Sequence, residues 1–156
     1  MENISKHISY KEATASATAL RRGLDNTPGP KELKCMQDIA KYLFEPLREW
    51  VGGPIKITSM FRGEPVNTAI GGSKNSQHMK GQALDLDDTF KHKTNAEMYH
   101  YIKDNLIFDQ LIWEFGDDEN PNWIHVSYVT HRENRRKLTI AYKEKGRTKY
   151  IHKEKK

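Results

Sequence analysis

An α+β fold, with helices packed against one mainly antiparallel sheet, is what this 156-residue chain predicts. Three observations carry the reading. Two S/T-x-x-E boxes, Ser9 with Glu12 and Thr94 with Glu97, mark helix starts, where each side chain satisfies a free backbone N–H of the first turn. Apolar residues from Leu33 to Trp50 recur at three- and four-residue steps, the spacing of one helix face. Short alternating or β-branched runs, bounded by Gly, Pro, Asn and Asp, fill most of the remainder. No repeat and no interdomain linker interrupts the pattern, so one domain is expected over 1–156, with a basic C-terminal tail from about 143.

Taken in order, the first box opens an alanine-rich helix (Ala13, Ala15, Ala17, Ala19) that should end near Gly23. Asp25 to Pro30 cannot continue it, because Asn-Thr-Pro-Gly-Pro is turn chemistry. A second helix runs from about Lys31 towards Trp50, its core stripe formed by Leu33, Met36, Ile39, Ala40, Leu43, Phe44, Leu47 and Trp50. Pro46 should kink or restart it. Gly52-Gly53-Pro54 breaks the chain before a strand at Ile55 to Ser59, and a loop follows from Met60 to Gln77. A strand covers Gln82 to Asp88, with Leu84 and Leu86 on one face and Ala83, Asp85 and Asp87 on the other. The second box opens a helix whose apolar side is Met98, Tyr101, Ile102 and Leu106. Asp109 to Phe115 and Trp123 to Val129 flank the polar turn Gly116 to Asn122 and read as an antiparallel hairpin. Leu138, Ile140 and Tyr142 alternate in a last strand.

Composition narrows the function classes. Hydrophobic residues at 36% and charged residues at 30% describe a folded, water-soluble chain. No apolar run is long enough to span a membrane, and the polar segment Met1 to Tyr10 lacks the apolar core of a signal peptide. The single cysteine, Cys35, rules out an internal disulfide and a thiolate zinc cluster; it reads as a buried structural thiol. A net charge of +5 favours polyanionic partners, either nucleic acid or an anionic cell wall. The excess lies late, in Arg132, Arg135, Arg136, Lys137 and the run from Lys143. No binding motif with interleaved aromatics accompanies it, so neither a nucleic-acid nor a membrane partner is expected.

The chemistry concentrates in Ser76-Gln77-His78-Met79-Lys80-Gly81-Gln82-Ala83-Leu84-Asp85. Without thiolates, a redox-inert metal centre is built from imidazole and carboxylate. His78 lies on the loop, Asp85 on the strand, and His125 on the strand Trp123 to Tyr128. Two imidazoles and one carboxylate leave a fourth position open, the arrangement of a catalytic rather than a structural zinc. The remaining histidines, His7, His92, His100, His131 and His152, read as ordinary surface or core residues, and Asp85 with Asp87 is also compatible with a solvated strand end.

The compound pattern S-x-H-x-x-G-x-A-x-D followed by W-[IV]-H-V-S resembles the zinc D-alanyl-D-alanine carboxypeptidase family. Its relatives include vancomycin-resistance dipeptidases, phage endolysins that are L-alanyl-D-glutamate endopeptidases, and the hedgehog signalling domain. The likeness begins at Ile57-Thr58-Ser59-Met60-Phe61-Arg62 and continues through Asn67, the His78 to Asp85 segment, Phe108 to Ile112 and the Trp123 strand. It implies a hedgehog-like peptidase fold and one zinc ion per chain on His78, Asp85 and His125. It implies hydrolysis of a peptide bond in the stem or cross-link peptides of bacterial peptidoglycan, by a monomer. With no signal peptide in view, synthesis in the cytoplasm and holin-type release to the wall, as for a phage or prophage endolysin, fit that reading.

One position departs from the family. The catalytic acid expected three residues before the last zinc histidine is Asn122, which cannot take a proton. Glu114, across the hairpin from Trp123 and His125, is the best replacement as general base, with Asp117 and Asp118 behind it; an exposed strand-end carboxylate is the plain alternative for Glu114. Arg62 would hold a substrate carboxylate or the developing oxyanion with its planar donor fork. Ser76 and Ser127 would support the site through hydrogen bonds to a ligand or to substrate. The loss of the usual acid also admits a non-catalytic zinc-containing domain that binds the cell wall.

Overall fold

A computed structural model describes residues 3–154. The chain begins with a small hairpin of β1 (Asn3–Ser5) and β2 (Ile8–Ser9), then enters α1 (Tyr10–Ala13) and α2 (Ala17–Arg22). The expected single alanine-rich helix is therefore two. Ser9 and Glu12 form the capping box as read, but Ser16 caps a fresh start by accepting the Ala19 N–H at 3.1 Å. Thr14 bonds back to the Tyr10 carbonyl, the usual way Ser and Thr divert a helix.

The long amphipathic segment holds as one continuous rod, α3 (Pro30–Ile39), a π-helical turn (Ala40–Phe44) and α4 (Glu45–Val51). Pro46 lacks an N–H and crowds the carbonyl four residues earlier; the widened turn before it accommodates both defects without a stop. Met36, Ile39, Ala40, Leu43, Phe44 and Leu47 are buried, with Leu33 and Trp50 packed at the margin. Cys35 lies off this stripe and is half-buried, which corrects the expectation of a buried thiol.

After β3 (Lys56–Ser59) the segment read as loop contains α5 (Glu64–Ala69). Pro65 suggested a break, yet it sits in the first turn of the helix, where a missing N–H costs nothing. A 3₁₀ turn (Gln77–Lys80) leads into β4 (Ala83–Asp87), and the Thr94–Glu97 box opens α6 (Asn95–Asn105) as expected. Then come β5 (Gln110–Glu114), β6 (Trp123–Ser127), β7 (Lys137–Glu144) and β8 (Arg147–Glu154). Residues 143–154 of the basic segment expected as a tail complete β7, turn and form β8, while Lys155 and Lys156 lie outside the described residues. Lys145 and Gly146 both have positive φ, 51° and 77°, the backbone of a tight hairpin turn without the usual asparagine or aspartate first.

Six strands form one sheet in the order β3-β4-β6-β5-β7-β8, antiparallel except for the parallel pair β5–β7. Strand alternation divides the sheet into two faces. On one, Leu84, Leu86, Ile124, Val126 and Leu111 are fully buried in a core shared with Met36, Leu43, Met98 and Ile102 of the helices. On the other, Asp85, His125, Ile112 and Glu114 line an open cleft. Among the described residues no helix is long and apolar enough to cross a membrane.

Candidate metal centre

Sheet register brings the ligands together. Asp85 on β4 is the direct antiparallel partner of His125 on β6, so residues 40 apart in sequence stand side by side on the open face. His125 Nδ1 lies 3.0 Å from Asp85 Oδ1. His78 arrives from the 3₁₀ turn, whose start Ser76 caps by accepting the His78 N–H at 3.2 Å. Gly81 ends that turn with φ +73°, and a Cβ there would strike the backbone carbonyl of Glu32, so only glycine lets His78 reach the sheet.

The tautomer of His78 follows from its partner. Nδ1 stands 2.7 Å from the Met60 carbonyl, which can only accept, so Nδ1 carries the proton and Nε2 keeps its lone pair. That Nε2 is buried and has no hydrogen-bond partner; it lies 3.3 Å from Asp85 Oδ1, out of hydrogen-bonding geometry. One ligand atom from each of His78, Asp85 and His125 falls within 4.8 Å of the others. A buried lone pair left unpaired costs free energy unless something fills the gap. Two imidazole nitrogens and one carboxylate oxygen around that gap are the donor set zinc takes, with the Met60 carbonyl orienting one ring. The residues fit the ion. Burial by itself raises the Asp85 pKa, but the two histidines more than reverse this and hold the carboxyl well below the usual range.

Glu114 stands in the same cleft, paired in register with Trp123 and two strand positions from the partner of His125. Burial, with the Asp85 charge adding to it, pushes its pKa up to about 7; His125, Trp123 and Arg62 pull back only part of the way. Asn122 is exposed and its backbone N–H bonds the Glu114 carbonyl, while Asp117 and Asp118 border a different cavity with Tyr99 and Trp113. Arg62 lines the cleft, its backbone N–H donates to the His78 carbonyl at 3.2 Å, and its Nε is buried without a partner. The arginine turn is braced by Asn26, which donates to the Phe61 carbonyl and accepts the Gly63 N–H.

The two serines part company. Ser76 supports a ligand-bearing turn, as described above. Ser127 is fully buried outside the cleft, and its Oγ accepts the Gln110 N–H at 3.0 Å, tying β5 to β6.

Sequence reasoning missed the other wall. Asp109 is fully buried and its carboxylate accepts from Gln77, from the Arg132 guanidinium at 2.6 and 3.1 Å, and from Arg135 through its backbone N–H, Nε and Nη2. Burial opposes ionisation there, but these donors hold the carboxyl far below its ordinary value. The one available signal was an aspartate at the entrance of an otherwise apolar strand. Asn67, named above only as part of the family likeness, is buried and braces the loop before His78 by donating to the Ser73 carbonyl. Arg132, Arg135 and His131 join Thr148 and Tyr150 of β8 in lining the cleft, which has a volume of about 590 Å³.

The family model described as Peptidase M15 matches residues 6–127, which takes in all three ligands, Arg62 and Glu114. No curated protein sequence matches the chain.

Proposed function

The chain belongs to the peptidase M15 family, and from that premise we propose that it is a zinc metallopeptidase cutting a peptide bond in the stem or cross-link peptides of bacterial peptidoglycan. The observation that carries this reading is the pairing, in one cleft, of the convergent His78, Asp85 and His125 donors with a carboxylate raised into the neutral range. A structural metal site needs no proton acceptor beside it; a hydrolase does.

His78, Asp85 and His125 would hold the zinc ion, which would supply Lewis acidity to the scissile carbonyl and to water. The chain's own groups do the rest. Glu114 takes a proton from the attacking water and returns it to the leaving amine, a shuttle suited to a group titrating near 7. Arg62 places its unpartnered donors on the developing oxyanion or on a substrate carboxylate. The Met60 carbonyl holds His78 in the ligating tautomer throughout. The endolysin role and release through a holin-type opening rest on the sequence resemblance and on the wall-directed chemistry proposed here.

Digestion of purified murein sacculi, with mass spectrometry of the released fragments, tests the reading and names the bond. Glu114→Gln should bind zinc as wild type does and cleave about 10²–10⁴-fold more slowly. Because the base works only when deprotonated, the wild-type rate should fall in acid, with the limb below the metal-free value of about 7 because a bound cation lowers the Glu114 pKa, and that limb should vanish in the variant. Intact zinc binding with no fragment released by wild type at any pH would instead favour a wall-binding domain without catalysis.

A further inference from the structure

We propose that Arg132 and Arg135 form an anion subsite that holds a free carboxylate of the peptide substrate in the cleft that His78, Asp85 and His125 also line. The proposal rests on the peptidase reading and deepens it from bond class to substrate charge.

The subsite is built from outside the segment that matches the family model, which ends at residue 127. Both guanidinium groups reach one buried carboxylate, that of Asp109, and so leave an excess positive charge. Arg132 binds Asp109 through Nη1 and Nη2 and also bonds the Glu133 carbonyl; Arg135 uses Nε and Nη2. A guanidinium carries five N–H groups, so each keeps donors with no partner among the described residues. Both side chains are partly exposed, at 39% and 49%, and both line the cleft.

The surroundings favour an anion. Besides Asp85 and Glu114, which serve the metal site, no carboxylate lines this cleft among the described residues, whereas Arg62, Lys80 and His131 do. Glu133 lies between the two arginines in sequence but does not border the cleft. The pair is also held in place before any ligand arrives. Asn134 closes the loop by bonding both the N–H and the carbonyl of Val129, and Asp109 locks the arginine rotamers. Pre-ordered arginine forks lose little freedom on binding a carboxylate, which they match in planar geometry. Gln77 links this wall to the metal side: its amide donates to Asp109, and its neighbour His78 is a ligand.

The test uses the zinc-loaded chain and a stem-like peptide, L-alanyl-γ-D-glutamyl-L-lysyl-D-alanine, with its two singly amidated forms. Calorimetric binding to Glu114→Gln and cleavage by wild type are measured for all three. Amidation of one carboxylate should weaken binding and raise KM about tenfold, the scale of one charge-assisted hydrogen-bonded contact. In Arg135→Gln, which leaves Arg132 on Asp109, that penalty should shrink to less than about twofold, and Arg132→Gln is the reciprocal control with folding checked by thermal melts. Equal binding of the acid and both amides overturns the subsite, as does an amidation penalty unchanged in both arginine variants. Failure of wild type to cleave any peptide overturns the peptidase reading alone, because binding still decides the subsite.

Discussion

On the metal side of the cleft, position is set by strand register: Asp85 and His125 are opposite partners in a four-pair ladder between β4 and β6, over a fully buried core face. On the far side, position is set by one carboxylate: Asp109 gathers Arg132 and Arg135 from a loop and fixes where β7 starts. The Lys137 N–H on the Asp109 carbonyl and the Arg136 N–H on the Phe108 carbonyl set the parallel register of β5 with β7. The ladder cannot slip by one residue without turning Asp85 or His125 into the core, so it suits groups that must meet within ångströms. A loop clamped by charge can change its exposed residues while the clamp survives. The first design fixes side chains to one another, and the second fixes them to a single buried charge.

Removing a ligand breaks the metal side most completely. His125→Ala should lose most of the bound zinc on elemental analysis and with it nearly all hydrolysis, while the fold survives, since His125 lies on the open face. Wild-type zinc content in that variant would remove His125 from the centre and leave Asp85 and His78 in need of another partner.

Breaking the far wall should instead appear as lost stability. Asp109→Asn leaves two guanidinium groups on a neutral amide, and loss of one partner of a buried pair costs about 3–5 kcal/mol. The lower end is expected, because both arginines can turn towards solvent. The pH dependence has a definite sign. Asp109 is held below its unfolded value, so its contribution is fully present above that value, about 3.9, and is lost as pH falls through the folded one. Denaturant melts should therefore show a constant gap between wild type and variant above about pH 4 that narrows below it. A constant gap down to strong acid would mean the carboxylate is not the clamp.

The same contrast explains what could be read from sequence. His78, Asp85 and His125 were legible through the resemblance of their compact motif to a known family, and a capped turn, a glycine and strand alternation hold that motif locally. The hairpin that carries Glu114 was legible, but not its register, which pairs Glu114 with Trp123. The clamp was not, because its partners lie 23 and 26 residues from Asp109 and nothing local marks them. The α5 helix hid behind Pro65, and the β7–β8 hairpin behind a Lys-Gly turn within a basic run that reads as solvated tail. Charge density suggested a tail where main-chain pairing supplies a strand.

The finest distinction concerns two serines that sequence reasoning treated alike. Ser127 Oγ is fully buried and accepts the N–H of the half-buried Gln110, so Ser127→Ala strands a donor between β5 and β6 and should cost about 1 kcal/mol in stability. It touches neither metal ligand nor cleft, and kcat should stay as in wild type. Ser76→Ala removes the cap over the His78 N–H, a loss of about 1 kcal/mol by analogy with helix caps, confined to one turn. That turn carries a ligand, so the loss should appear in zinc affinity, as a weakening of up to about tenfold under competing chelator, with little change in melting temperature. The two variants therefore separate in opposite directions, one losing stability and the other metal. Should Ser127→Ala lose zinc while Ser76→Ala keeps it, the brace on the metal side would be the β5–β6 ladder rather than the capped turn, and the ordering of the two walls would have to be redrawn.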